Sequence, residues 1–113
     1  MSDLTTEMAW ALGIFEGEGC IYITKAGYVN LKVSMTDPDV VVRFMDVVGC
    51  GNVAPHTYRG RPGHYKPLTR WRCSRGADVF NLLAHWGPHF SERRAAKVLD
   101  ALTARGLIGG TST

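Results

Sequence analysis

No apolar run in this 113-residue chain approaches the roughly 18 residues that a membrane helix needs. Cysteine is sparse: Cys20, Cys50 and Cys73 stand far apart, odd in number and without a C-x-x-C pair. Such a set favours neither a disulfide framework nor a zinc ribbon, and reduced thiols in an intracellular protein are the expectation. The opening residues, Met1-Ser2-Asp3-Leu4-Thr5-Thr6-Glu7, are polar and acidic, unlike a secretory leader. Acids are missing from one stretch. Between Tyr58 and Arg75 stand Arg59, Arg61, Lys66, Arg70, Arg72, Arg75 and His64, with no Asp or Glu among them. What remains is a soluble globular chain of one domain's length, residues 1–106, with a loose tail over 107–113. The net charge of +3 is mild, but its concentration in one half fits a nucleic-acid footprint.

What the chain does have is the segment Ala11-Leu12-Gly13-Ile14-Phe15-Glu16-Gly17-Glu18-Gly19. Residues 5–16 read as a helix, with Thr5 or Thr6 able to cap it and Glu7 in its first turn. Met8, Ala11, Leu12 and Phe15 form one apolar stripe; Trp10, Gly13, Ile14 and Gly17 form a second. A helix apolar on both sides is covered on both sides, and in a chain this small the second cover is expected to be another subunit. Gly13 and Gly17 lie four apart on one face, which lets two backbones approach. Glu16 and Glu18 place carboxylates at the tip, where hard oxygen ligands would suit a divalent metal.

Further along, period-2 alternation marks Cys20–Thr24 and Tyr28–Met35 as strands joined by a Lys25-Ala26-Gly27 turn. Ile21, Ile23, Val29, Leu31, Val33 and Met35 share one face. Tyr22, Thr24, Asn30, Lys32 and Ser34 share the other, a polar, aromatic and cationic set suited to base edges and phosphates. Thr36-Asp37-Pro38-Asp39 starts a helix that runs to about Val48 and stops at Gly49-Cys50-Gly51. That G-x-G lacks the rest of a dinucleotide fingerprint. Asn52–Tyr58 and Leu68–Ser74 read as a second strand pair, joined by a long basic loop expected to be mobile without a partner. Arg70, Arg72 and Ser74 alternate with Trp71 and Cys73, so the cations share a face. Ala77–Trp86 is a short helix. Ser91 can cap a last one, Glu92–Arg105, packed through Ala95, Val98, Leu99 and Leu102. His85 and His89 lie four apart, but Gly87-Pro88 interrupts the helix between them, so no zinc site is expected there. The order α-β-β-α-β-β-α-α predicts an α+β domain: a four-stranded antiparallel sheet, helices on its apolar face, the basic face open.

Taken together, these residues resemble a known family. Ala11–Gly19 is similar to the signature of LAGLIDADG homing endonucleases in an E-G-E-G variant. Ser34-Met35-Thr36-Asp37-Pro38 resembles that family's strand-to-helix turn, and Val48-Gly49-Cys50-Gly51-Asn52-Val53 its helix-to-strand turn. Ser91-Glu92-Arg93-Arg94-Ala95-Ala96 resembles the basic start of its late helix. The likeness covers about residues 8–103. It implies an αββαββα fold with a saddle-shaped sheet lying along the DNA major groove. Because the chain carries one motif, it also implies a homodimer built on the 5–17 helix, through Trp10, Gly13, Ile14 and Gly17.

The resemblance further implies a site-specific endonuclease that makes double-strand breaks in a long, near-palindromic target. Its cofactor would be Mg²⁺ or Mn²⁺. Glu18 matches the motif's catalytic acid and metal ligand, the Gly17 carbonyl would add a ligand, and Glu16 would be structural. Arg93 would stabilise the phosphate, since Arg holds its proton too firmly to act as a base. The DNA side would comprise Tyr22, Thr24, Asn30, Lys32, Ser34, His56, Tyr58, Arg59, Arg61, Lys66, Arg70 and Arg72. Origin in a phage or mobile element follows from the same likeness. Two departures stand out: Met35 or Thr36 falls where many members carry Gln, and Ser91 near where many carry Lys. They favour one other function, a DNA-binding regulator that has lost cleavage, and the family likeness by itself leaves open an RNA maturase.

Overall fold

The computed structural model describes residues 4–56 and 67–104, His56 and Ala104 by their backbone alone. Tyr58, Arg59, Arg61, Lys66 and the 107–113 tail therefore lie outside the described residues, as does the side chain of His56. Helix α1 spans Thr6–Glu18 and runs straight into strand β1, Gly19–Ile23. Strand β2 (Val29–Met35), helix α2 (Pro38–Val48), strands β3 (Asn52–His56) and β4 (Leu68–Cys73), and helix α3 (Gly76–Trp86) follow. A 3₁₀ turn, Gly87–His89, leads into helix α4, Glu92–Ala104. The expected order is present, with the Gly87-Pro88 break tightening the chain rather than simply ending a helix.

Local chemistry explains the boundaries. Thr5 caps α1, its Oγ1 accepting the N–H of Met8 at 3.1 Å. Pro38 opens α2 at N1, where a missing N–H costs nothing. Gly49 closes α2 in the left-handed region at φ 78°. Gly51, at φ 90°, is required twice over, because a Cβ there would also run into the indole of Trp71. The β1–β2 turn is closed by Thr24 and Tyr28, with Gly27 at φ 89°.

The sheet is antiparallel in the order β1-β2-β4-β3. Its registers pair Ile21 with Leu31, Leu31 with Cys73, and Val33 and Val53 with Trp71. That row faces the helices. Between them sits an aromatic cluster: Phe15 stacks on Trp86 at 5.2 Å, and Phe44 meets Trp71 edge-on at 4.8 Å. All four rings are fully buried. Truncating any one to Ala costs about 3–5 kcal/mol at such sites. In α4 the expected packing set is corrected. Val98 and Leu102 are buried, but Ala95 and Leu99 face solvent, and Arg94 takes the inward position one turn earlier. A charged residue replaces an apolar one there because it has the carbonyls of α1 to bind.

Candidate active site and nucleic-acid interface

Helix α1 turns into β1 with no loop between them, so the position of its tip is set by whatever holds the last turn. The final carbonyls of a helix have no partners within it. The Gly19 N–H donates to the Phe15 carbonyl, and a side chain at Gly19 would collide with the Phe15 ring and that same oxygen. From α4, Arg94 Nη2 donates to the carbonyls of Phe15 (3.3 Å), Glu16 (3.2 Å) and Gly19 (3.1 Å). Its guanidinium lies 4.9 Å from the Phe15 ring centroid. The Nε stands 3.5 Å from Glu16 Oε1, close enough for an ion pair but without hydrogen-bond geometry. Glu16 reaches in the other direction too: its Oε2 accepts the N–H of Ser91 at 2.7 Å, and its Oε1 the Ser91 hydroxyl at 3.3 Å. The Ser91 Oγ also caps α4 by accepting the N–H of Arg94. Glu16 and Arg94 thus bolt the end of one helix to the start of another.

Two backbone acceptors at the tip, the Gly17 and Glu18 carbonyls, stand outside this clamp. The Glu18 carboxylate is exposed and borders an open hollow of about 270 Å³. The other walls are Ser34, Met35, Thr36, Asp37 and Leu68, from the end of β2, the turn into α2 and the start of β4. Asp37 is the N-cap of α2, yet its side chain makes no capping bond, so its carboxylate is not committed to the helix. Met35, at a place where the family likeness implies a polar group, contributes only a thioether. Arg93 is exposed on the first turn of α4 and does not line the hollow. Asp37 and Arg94 are the residues that sequence reasoning passed over. The acid after Thr36 read as a helix-start signal only, and the Arg93-Arg94 pair gave no sign of which cation turns inward.

Along the second stripe of α1, Gly13 and Gly17 are exposed, and a Cβ at either would meet nothing within 4 Å. Trp10 and Ile14 on the same face are only half-buried. Arg43 of α2 lies over the Trp10 ring at 4.1 Å from its centroid. The single chain therefore covers the Ala11, Leu12 and Phe15 stripe and leaves the glycine stripe open.

The open face of the sheet gathers Tyr22, Lys32, Ser34, Arg70 and Arg72. Lys32 pairs directly with Arg72, an unfavourable like-charge neighbour by roughly 0.2–1 kcal/mol. Lys32 leans over the Tyr22 ring at 5.3 Å, and Arg72 is exposed. Asn30 belongs to this face but is only 4% exposed, and its Nδ2 donates to the Tyr28 carbonyl at 3.4 Å. It forms the floor of a hollow walled by Tyr22, Thr24, Tyr28, Arg72 and Ser74, rather than standing out as a reading side chain. Thr24 is likewise engaged, its Oγ1 accepting the N–H of Tyr28 at 3.1 Å.

Among the described residues, mixed α+β layers, four helices and a four-stranded antiparallel sheet make this a homing-endonuclease-like fold. No family model matches the chain, and no curated protein does. Among solved structures, the chain is similar to an archaeal intron-encoded homing endonuclease complexed with DNA. The TM-score is 0.61 at 14% identity, over 92% of this chain and 70% of that one. At that identity the likeness is one of fold. No helix among the described residues is long and apolar enough to cross a membrane.

Proposed function

We propose that the chain is a homodimeric, divalent-metal-dependent, site-specific DNA endonuclease. The observation that carries this reading is the tip of α1. An uncommitted Glu18 carboxylate opens onto a hollow walled by Ser34, Thr36 and Asp37, next to Gly17 and Gly13, on which no described residue packs. Two copies joined along Gly13 and Gly17 would bring two Glu18 side chains together at the symmetry axis. Their mutual repulsion would be relieved by bound cations, and the negative end of the helix dipole favours cations too.

The hard donors lining the hollow are oxygens, the Glu18 and Asp37 carboxylates and the Ser34 and Thr36 hydroxyls, and the Gly17 carbonyl lies next to Glu18 in the chain. That set fits Mg²⁺ or Mn²⁺, with Glu18 and Gly17 as the protein ligands. The metal would neutralise phosphate charge and lower the pKa of a bound water. Water would then add to phosphorus as the bond to the sugar oxygen breaks, one water proton passing through solvent to that leaving oxygen. The part played by the rest of the chain is placement. Arg94 and Glu16 fix the tip, and the Lys32, Arg70 and Arg72 face holds the backbone of a duplex, with Tyr22 and Ser34 beside them. In this reading Arg93, on the exposed first turn of α4, contacts phosphate.

The test is cleavage of a randomised duplex library with Mg²⁺, followed by sequencing of the cut ends. The wild-type protein is expected to cut a long near-palindrome, and Glu18→Gln to bind it without cutting. A Glu18→Gln protein that cuts as well as wild type sinks the assignment. Met35 in the wall of the Glu18 hollow supports a second reading, a DNA-binding regulator without cleavage, because a thioether orders water poorly. Protection of one sequence with no product from the wild-type protein and Mg²⁺ would favour that regulator.

A further inference from the structure

On the far side of the sheet from the basic face, Cys50 meets two groups from more than twenty residues further along the chain. Cys50 sits in the turn between α2 and β3, Cys73 ends β4, and Asp78 lies in the first turn of α3. The two sulfurs and an Asp78 carboxylate oxygen all lie within 4.8 Å of one another. We propose that they form a binding site for a thiophilic divalent cation of the zinc class, separate from the Glu18 hollow.

The surroundings are those of a prepared site. Gly49 and Gly51, at φ 78° and 90°, bend the backbone on either side of Cys50. The Cys50 carbonyl is held by Trp71 Nε1 at 2.8 Å, and Trp71 is itself fully buried. Cys73 Sγ accepts the backbone N–H of Arg75, a bond that stabilises sulfur carrying negative charge. Asp78 makes no hydrogen bond or ion pair with another described residue; what it faces is the two thiols. A tetrahedral site with metal–sulfur bonds near 2.3 Å and metal–oxygen bonds near 2.0 Å needs ligand atoms roughly 3.5–3.8 Å apart. Closing the shell therefore shortens any ligand–ligand distance by no more than about 1.3 Å.

Sulfur ligands select zinc-like ions over magnesium, so this site and the Glu18 hollow would not compete for one metal. Binding takes up one cation and releases two thiol protons, the sulfurs and one carboxylate oxygen becoming ligands. A hollow of about 380 Å³ borders Cys50 and Asp78 and would admit the ion and the water that completes the shell. Without metal, burial pushes the Cys73 thiol up to about 12 and raises Cys50 as well, so the empty site is a pair of neutral thiols. A bound ion would tie the α2–β3 turn, the sheet and α3 into one unit.

The probe is Co²⁺ titrated into the full-length, reduced, metal-stripped protein. One equivalent per chain should produce a thiolate-to-cobalt charge-transfer band and the visible bands of a tetrahedral ion, all lost on adding Zn²⁺. Cys50→Ser and Asp78→Ala should each weaken binding by at least about tenfold, since even outer-shell losses at metal sites reach that size. Cys20→Ser, on the opposite face of the sheet, should leave it unchanged. Absence of the band, or its survival in Cys50→Ser, overturns the site. So does recovery of a Cys50–Cys73 disulfide that binds no cobalt once reduced. If Cys50→Ser fails to fold, the wild-type titration and Asp78→Ala decide the matter. None of these readouts involves DNA cleavage.

Discussion

Arg94 is 6% exposed, and its charge is spent on three carbonyls, one carboxylate and one aromatic face. Replacing it with Ala would leave those carbonyls and Glu16 without their partner in a largely dry place. A loss of about 3 kcal/mol in stability follows, measured by urea unfolding. Arg94→Lys should recover less than half of that, because an ammonium cannot reproduce the planar fork. Equal stability of the Lys variant and wild type would refute the clamp. Position 93, by contrast, is expected to tolerate Ala with a change in stability under about 0.5 kcal/mol, as exposed sites away from such contacts do. From the sequence these were two adjacent arginines. Choosing between them required knowing which side of α4 meets the carbonyls of α1.

At the scale of one element, α1 holds two tendencies apart. Each glycine in a helix interior costs about 1 kcal/mol relative to Ala. At Gly13 the single chain gives nothing back, since a Cβ there would touch no neighbour. Gly13→Ala is therefore expected to stabilise the isolated chain by about 1 kcal/mol and yet to weaken self-association. Thermal unfolding at low concentration and sedimentation at high concentration separate the two effects. A variant that is stabilised and associates as before would remove the glycine stripe from the dimer seam. The stripe itself was legible, because a 3.6-residue period can be counted along the chain. In α4 the same counting misplaced Ala95 and Leu99. A long Arg side chain can turn inward wherever acceptors await it, and periodicity does not register acceptors.

Across the whole molecule, the sheet sets Lys32 beside Arg72 and Ser34 beside Arg70 on one face. Such crowding of like charge is mildly unfavourable in the chain alone and would be relieved against a polyanion. Arg72→Ala should weaken duplex binding about equally for all sequences and reduce the slope of log affinity against log salt by about 1. An unchanged slope would place the DNA elsewhere. The alternation that defines this face lies in the sequence, because side chains in a strand point to opposite faces by geometry alone. So do the helix starts at Thr5 and Pro38, the stops at Gly49 and Gly51, and the glycine-acid tip of α1. Tertiary structure alone decided what meets what. It set Glu18 beside Asp37, Glu16 against Ser91, Asn30 beneath its neighbours, and Cys50 against Cys73. The physical reason is the same in each case. Periodicity is local and survives in one dimension, whereas partnership depends on strand register and helix docking, which burial of the Phe15, Phe44, Trp71 and Trp86 core settles for the chain as a whole.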